Sequence, residues 1–592
     1  MIAELENGRI NVYAQFREKE LIKKIPGARW DNDAQVWHVP LSWAGCIQLR
    51  GVFGAALEIG QELNAWAANE QATRIVPALA LRTAEDCDLP MFGNLYPFQR
   101  AGVGFMATAG SALNADEMGL GKSVQAIATL ELIGDAAFPA LIVCPNSMKG
   151  TWANEWEKWS GRPTVIITGT PKKRAAAIEA LASGAAEVGI INYEALRSHT
   201  RLAGYGQLNL SDKEKEDKEL NAIVLGAVVA DEAHKVKDPR SKQTRALWYV
   251  GDRARHRFAL TGTPIANSPE DIWALMRFVS PREYPYKSKF IERYALTVYN
   301  VFGFEQVAGI KSEMAEELFR ILDSRFIRRI KSVVLPQLPP KIYATRYVKM
   351  ETPGGSKTKQ GVAYDSMRKE MLASLDAGVL MASSPLVQAT RLCQFASAYG
   401  ELVPTAELDD MGVPKTALVL SDPSCKADAL EEILLEVGDE QVVVFAESKQ
   451  LINLCYNRLV AETGKKDGPM FGWKLGLITG DIPDYQRTEN VRLFQNGEIK
   501  VLLLTLAAGG EGLTLTAAST AVFLQRSFNA VQNAQAEDRI HRIGQDADSV
   551  TIIDVITEGT IEERVRDVLV TKAGMLEEIA RDEANVKAWL AK

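Results

Sequence analysis

Short runs of valine, isoleucine and leucine recur along the chain, each ending in small or polar residues and each followed by amphipathic, helix-like spacing. From about 88 to 280 they are ALIVCP (140–145), VGIINY (188–193), LGAVVADEAH (225–234) and FALTGT (258–263). Apolar runs that do not alternate fit strands buried on both faces, as in parallel sheets covered by helices, with chemistry gathered at the strands' carboxyl ends. A second set begins near 441: QVVVFAES, KLGLITG, VLLLTLAAGG, AVFLQRS and SVTIIDVI. The pattern therefore predicts an α/β protein with two parallel-sheet lobes, at 88–280 and 426–565.

The remaining stretches are patterned differently. Residues 1–80 carry short alternating segments (GRINVYAQF, QVWHVPL) with Pro26, Gly27 and an Asp-Asn-Asp turn at 31–33, which predicts a small α+β module. Residues 281–425 are expected to form a bridge or linker region, mostly helical to about 340 and poorly patterned beyond. Within it, METPGGSKTKQG (350–361) has the glycine and lysine content of a mobile loop. Helical periodicity over 566–592 predicts a C-terminal helix.

Composition narrows the class. A chain of 592 residues with 47% hydrophobic and 24% charged residues is an ordinary globular protein, too long for one core. No apolar run approaches the length of a membrane span, and MIAELENGRI lacks the features of a secretory signal, so the expectation is a cytoplasmic protein. The six cysteines and five histidines are scattered, without the clustering of a zinc site or a disulfide framework. The net charge of −7 neither supports nor excludes a nucleic-acid partner, since phosphate contacts need only a local basic surface such as RFIRRIK (325–331). SDKEKEDKEL (211–220) is mixed in sign and reads as a solvated segment.

Candidate chemistry lies at the ends of the apolar runs. MGLGKS (118–123) is a glycine-rich turn feeding a helix, which presents backbone N–H groups and a helix dipole to anionic oxygens. Gly119 and Gly121 would cradle phosphate, Lys122 would reach the β- and γ-phosphates of ATP, and the Ser123 hydroxyl would bind Mg²⁺. The strict phosphate-loop pattern fails at its first glycine, where Asp116 stands. VVADEAHKVKD (228–238) is an apolar strand ending in two carboxylates, Asp231 to hold Mg²⁺ and Glu232 to orient or deprotonate the attacking water. Phosphoryl transfer needs cradle, metal and positioned nucleophile together, and the joint occurrence is far more specific than either motif. Upstream, LYPFQRAGV supplies Gln99, whose amide could read an adenine edge or belong to a buried helix start.

In this order DEMGLGKS, LIVCPNSMKGTWANEWEKW, INYEAL, DEAHKVKD, ALTGTPIANSPEDIWALMRFVSP, RFIRRIKSVVLPQLPPK, LLLTLAAGGEGLTLTAAS and QAEDRIHRIGQ resemble the Swi/Snf-type DNA translocases of helicase superfamily two, over about 90–560. The resemblance implies two RecA-like lobes and an ATP-hydrolysing motor driven along DNA. It makes Arg539 and Arg542, three apart and on one face if their segment is helical, the arginine fingers for the γ-phosphate. It also implies DNA-backbone contacts at Asn192, Tyr193, Thr261, Thr263, Arg328, Arg329, Thr505, Gly509 and Gly510, any of which could serve coupling or packing instead. Thr514 and Glu511 depart from the spelling of many nucleosome remodellers, and the GLTL (512–515) and QAEDRIHRIGQ spellings look closer to the annealing-helicase branch. ELIKKIPGARWDNDAQVWHVPL (20–41) is similar to the HARP module of that branch. Its Lys23, Lys24, Arg29, Trp30, Trp37 and Trp43 could bind strands or fill a small core.

The expected function is a DNA-dependent ATPase that translocates on double-stranded or branched DNA and remodels forks or anneals strands. A strand-separating DNA or RNA helicase of the same superfamily, and an ATP-gated DNA-binding scaffold with little turnover, are the alternatives. ATP and Mg²⁺ are the expected cofactors and DNA the expected partner. A monomer could suffice, and the compact form suits a bacterial or bacteriophage protein.

Overall fold

In the computed structural model, described for residues 1–89, 94–200, 219–262, 269–299, 305–376, 385–408, 414–509, 512–567 and 569, the chain forms two compact units. One is Met1–Pro336 and the other starts at Gln337. Among the described residues no helix is long and apolar enough to cross a membrane.

The first unit opens with a five-stranded sheet in the order Arg29–Asp31, Val36–Pro40, Arg9–Tyr13, Ile2–Glu6, Glu58–Ile59. Ile10, Val12, Val39 and Trp37 point into its small core with Ile22, Ile25 and Leu49. The helix Trp43–Phe53 starts at Ser42, whose hydroxyl accepts the Gly45 N–H at 3.0 Å. It lays Ala44 and Ile47 on the hydrophobic core of the next domain. Gln48 Nε2 donates to the Tyr294 hydroxyl at 2.9 Å across the same seam.

That domain is a seven-stranded sheet, all parallel, in the order Phe326–Ile327, Ala112–Asn114, His256–Leu260, Ala227–Asp231, Ala140–Cys144, Val188–Asn192, Thr164–Ile166. Its apolar runs are continuous because both faces are covered. Leu141 and Val143 pack into one core, and Ala140, Ile142 and Cys144 into the other.

The second unit repeats the arrangement with six parallel strands: Lys341–Val348, Val550–Thr557, Thr520–Phe523, Val442–Ala446, Val501–Thr505, Leu475–Ile478. Here too the central strands feed two cores, Val442 and Val444 one and Val443 and Phe445 the other.

The stretch 281–425, expected to be mostly helical to about 340 and poorly patterned beyond, mixes helices, among them Lys359–Asp376 and Pro385–Ser397, with strands. It holds the antiparallel pair Ala295–Tyr299 and Glu305–Ile310, the edge strand Phe326–Ile327 of the first sheet and the edge strand Lys341–Val348 of the second. A further pair, Tyr399–Leu408 with Pro414–Ser421, follows. Edge strands lack the dense apolar run of central ones, and Lys341–Val348 keeps Ile342, Tyr343 and Tyr347 exposed. The glycine-rich stretch expected to be mobile forms a hydrogen-bonded turn, with Thr352 N–H donating to the Ser356 carbonyl at 2.7 Å and Gly355 in a left-handed conformation. The expected C-terminal helix beyond 569, and the charged segment at 211–218, lie outside the described residues.

Candidate nucleotide and DNA site

The register of the first sheet assembles the site. Asn114 lies beside Leu260, and Leu260 beside Asp231, so three neighbouring strands end at one level and their loops emerge together. After Asn114, whose Oδ1 accepts the Asp116 N–H at 3.0 Å, the chain turns through Gly119 and Gly121, both at positive φ. Gly121 is the residue before the helix Lys122–Ile133. Only glycine fits there, since the backbone is left-handed and an added Cβ would run into the Gln99 amide. The first turn of the helix thus opens onto the loop with its backbone N–H groups unpaired within the helix. Lys122 Nζ donates back to the carbonyls of Asp116 (2.9 Å) and Glu117 (3.4 Å), and the Ser123 side chain is half-buried beside it.

Gln99 is placed differently from a free base-reading amide. It is buried; its Oε1 accepts the Tyr96 N–H at 3.0 Å, capping its own helix, and its Nε2 donates to the Leu120 carbonyl at 3.1 Å. Its amide is engaged in bracing the glycine turn.

Asp231 ends the central strand Ala227–Asp231 and is buried. Trp152 Nε1 donates to its Oδ2 at 2.8 Å, the Glu232 N–H donates to its Oδ1 at 2.9 Å, and the Tyr193 hydroxyl donates to its backbone carbonyl at 2.6 Å. Burial, and then the adjacent Glu232 carboxylate, push the Asp231 pKa up to about 6, against the lowering effects of Trp152 and Lys122. Glu232 adopts φ +48°, a costly conformation for a residue with a Cβ. Its Oε2 lies 3.2 Å from His234 Nδ1, and the buried Thr261 hydroxyl lies 3.4 Å from the same nitrogen. Two carboxylates and a half-buried hydroxyl are groups that could serve a divalent cation, and the lysine ammonium, which cannot ligate a cation, is suited to the phosphate oxygens such a cation accompanies. No cluster of three or more His, Cys, Asp or Glu side chains able to hold a metal alone occurs among the described residues.

In the basic segment RFIRRIK, where DNA contacts are expected at Arg328 and Arg329, both arginines donate to groups of their own unit. Arg329 Nε donates to Asp116 Oδ1 at 2.9 Å, its Nη2 donates to Asp116 Oδ2, and further bonds reach Gln125 Oε1 and the Phe98 carbonyl. Arg328 donates to the carbonyls of Ala115 (3.1 Å) and Gly262 (3.2 Å). The Asp116 that breaks the glycine pattern is therefore the partner of a buried arginine.

Tyr193 and Thr261 are likewise buried against the acidic motif and its histidine, where a strand-end hydroxyl serves the site's interior. Asn192 sits at the carboxyl edge with Nδ2 donating to Glu194 (2.7 Å) and Oδ1 facing Lys149 Nζ at 3.5 Å. Lys149, not singled out from the sequence, also donates to the Thr168 hydroxyl at 3.1 Å. Thr263 lies outside the described residues.

In the second unit Thr505 ends a buried strand and its hydroxyl accepts the Ala508 N–H at 3.4 Å; Gly509 is buried against Phe445 and Leu504. Gly510 and Glu511 lie outside the described residues. The helix Ala530–Glu537 stops before both candidate fingers, so they do not share a helical face. Turns bring them together instead: Arg539 and Arg542 both donate to the Leu513 carbonyl, at 3.4 and 3.3 Å, and Arg542 also donates to the Thr514 hydroxyl at 3.0 Å. Just upstream, Glu537 accepts from Arg526 (2.6 Å), Lys341 (3.0 Å) and Tyr343 (2.8 Å), which anchors the segment.

The N-terminal tryptophans divide. Trp37 is core, Trp43 packs on the neighbouring domain's core, and Trp30 is 42% exposed, with Lys24 and Arg29 also exposed in the same module.

Comparison with known proteins gives the same outline. Residues 98–394 match the model of the SNF2-related domain, and 425–544 that of the helicase conserved C-terminal domain. The chain is 28% identical to the bovine "DNA annealing helicase and endonuclease ZRANB3" over 84% of its own length and 42% of that protein's. It is 30% identical to the Xenopus laevis "SWI/SNF-related matrix-associated actin-dependent regulator of chromatin subfamily A-like protein 1", over 86% of its length and 47% of that protein's. The chain thus spans less than half of these relatives. A solved structure, the Sulfolobus solfataricus SWI2/SNF2 ATPase core in complex with dsDNA, aligns over 82% of this chain and 92% of its own, at 22% identity and a TM-score of 0.36.

Proposed function

Because the chain belongs to the SNF2-related family of helicase superfamily two, we propose that it is a DNA-dependent ATPase that translocates on double-stranded or branched DNA, remodelling forks or annealing strands. The observation that carries this reading is the level ending of the strands at Asn114, Leu260 and Asp231, which sets the glycine turn with Lys122 beside the two carboxylates.

In this reading Gly119 and Gly121 let the backbone close on the phosphates, and Lys122 leaves the carbonyls of Asp116 and Glu117 for the β- and γ-phosphate oxygens. Ser123 and Asp231 would hold the Mg²⁺ that accompanies ATP. That ion neutralises charge on the phosphate oxygens. Glu232 orients the attacking water and accepts its proton. Arg539 and Arg542 supply the cations that the resemblance assigns to transition-state charge.

For DNA, Lys24, Arg29 and Trp30 offer exposed basic and aromatic groups on the N-terminal module. The annealing activity in the name of the bovine relative makes separated complementary strands a substrate to test for this chain. Glu232→Gln tests the chemistry: ATP binding should stay within about twofold while turnover falls about a hundredfold or more. Unchanged turnover would contradict the assignment of Glu232.

A further inference from the structure

Asp231 is oriented by residues far from it in sequence. Trp152 lies on the helix Lys149–Trp159, is 1% exposed, and donates its indole N–H to Asp231 Oδ2 at 2.8 Å. The Glu232 N–H occupies Oδ1, and the Tyr193 hydroxyl holds the backbone carbonyl. Each carboxylate oxygen therefore has one donor fixing its direction and keeps lone-pair capacity for another ligand. An indole nitrogen is a donor only, so its bond can serve only the accepting carboxylate.

The same helix contains its own control. Trp156, one turn further on, is as deeply buried and packs in the same core, yet its indole N–H has no partner among the described residues. Packing explains both rings. It does not explain why one of them aims its N–H at the carboxylate of the acidic motif.

We propose that Trp152 is a positioning residue for the metal, its N–H fixing the Asp231 carboxylate in the orientation that receives the Mg²⁺ of Mg²⁺·ATP. The inference rests on the reading of Asp231 given above. Donors of this kind, one bond removed from the ion, set the direction of a metal-binding carboxylate, and their loss typically lowers metal affinity about 10- to 100-fold.

The test is calorimetric binding of adenylyl imidodiphosphate, with Mg²⁺ and with a chelator, to wild type, Trp152→Phe, Trp156→Phe and Asp231→Asn. The quantity read is the gain in affinity that Mg²⁺ confers. Trp152→Phe should reduce that gain about tenfold or more, while its metal-free affinity stays within about twofold of wild type. Trp156→Phe should keep the full gain. An undiminished gain in Trp152→Phe, or equal losses in both tryptophan variants, would overturn the inference. If Asp231→Asn retained the full gain, the metal assignment beneath it would fall as well. Thermal unfolding without nucleotide reads folding separately. Should Trp152→Phe not fold, benzothienylalanine at 152, which replaces the N–H by sulfur at nearly constant shape, puts the same question.

Discussion

At the scale of single residues, Asp231 ties the electrostatics of the site to a measurable pH dependence. Burial and the Glu232 carboxylate raise its pKa to about 6. The shift is upward, so the nucleotide-free protein takes up a proton there as the pH falls through about 6, and a cation must displace it. Affinity for Mg²⁺·ATP should therefore be steady from about pH 7 to 8 and weaken below about pH 6. Titration of nucleotide binding against pH would show this, with the metal-dependent part of the loss absent in Asp231→Asn. A wild-type profile that stays flat through pH 6 would contradict it. The same shift makes the folded state bind the proton more tightly than the unfolded chain, so this group's contribution to stability declines as the pH rises toward 6. Lys122, Asp231 and Glu232 were legible in the sequence because each follows an apolar run through small residues, a local pattern. Trp152 was not: its partner is 79 positions away, and no local pattern distinguishes its indole from that of Trp156.

At the scale of elements, hydrogen bonds tie the linker to the strand and turn that lead into the glycine motif. Leu113, Ala115 and Glu117 donate their backbone N–H groups to the carbonyls of Arg325, Ile327 and Arg329 at 2.7, 2.7 and 3.0 Å, and the Lys331 N–H donates to Glu117 Oε2 at 2.6 Å. Arg329 closes this zipper through Asp116, with the arginine side chain 9% exposed and the aspartate fully buried. Arg329→Ala leaves a buried carboxylate uncompensated and should destabilise the first unit by about 3–5 kcal/mol. Asp116→Ala in the same background should recover part of that loss, because the two residues form one interaction. Denaturant unfolding of the single and double variants measures both. A loss below about 1 kcal/mol for Arg329→Ala would place the pair among weak surface bridges. The sequence exposed the charge of RFIRRIK but not its direction. A basic run looks the same whether it faces phosphates or internal acceptors, and those that decide the matter, the Ala115 and Gly262 carbonyls and the Asp116 carboxylate, lie 213, 66 and 213 positions earlier. Edge strands were hidden for a related reason. Phe326–Ile327 is only two residues long, and Lys341–Val348 mixes exposed aromatic and basic residues with small ones.

At the scale of the whole molecule, each unit carries one parallel sheet and one half of the motif set. Asn114, Leu260 and Asp231 end strands in the first. Thr505 ends a strand in the second, where Arg539 and Arg542 meet on the Leu513 carbonyl. Two sheets with continuous apolar runs are the part of the fold that composition along the chain reveals most directly, since burial on both faces removes the alternation that other strands show. What the pattern leaves open is the nucleic acid. The most direct measurement is steady-state ATP hydrolysis without nucleic acid, then with single-stranded, duplex and forked DNA and with RNA, with Lys122→Ala as the control for contaminating ATPase. A DNA-driven motor predicts strong stimulation by duplex or forked DNA, much weaker stimulation by RNA, and no activity above background in Lys122→Ala. Equal stimulation by RNA, or none by any nucleic acid, would contradict it.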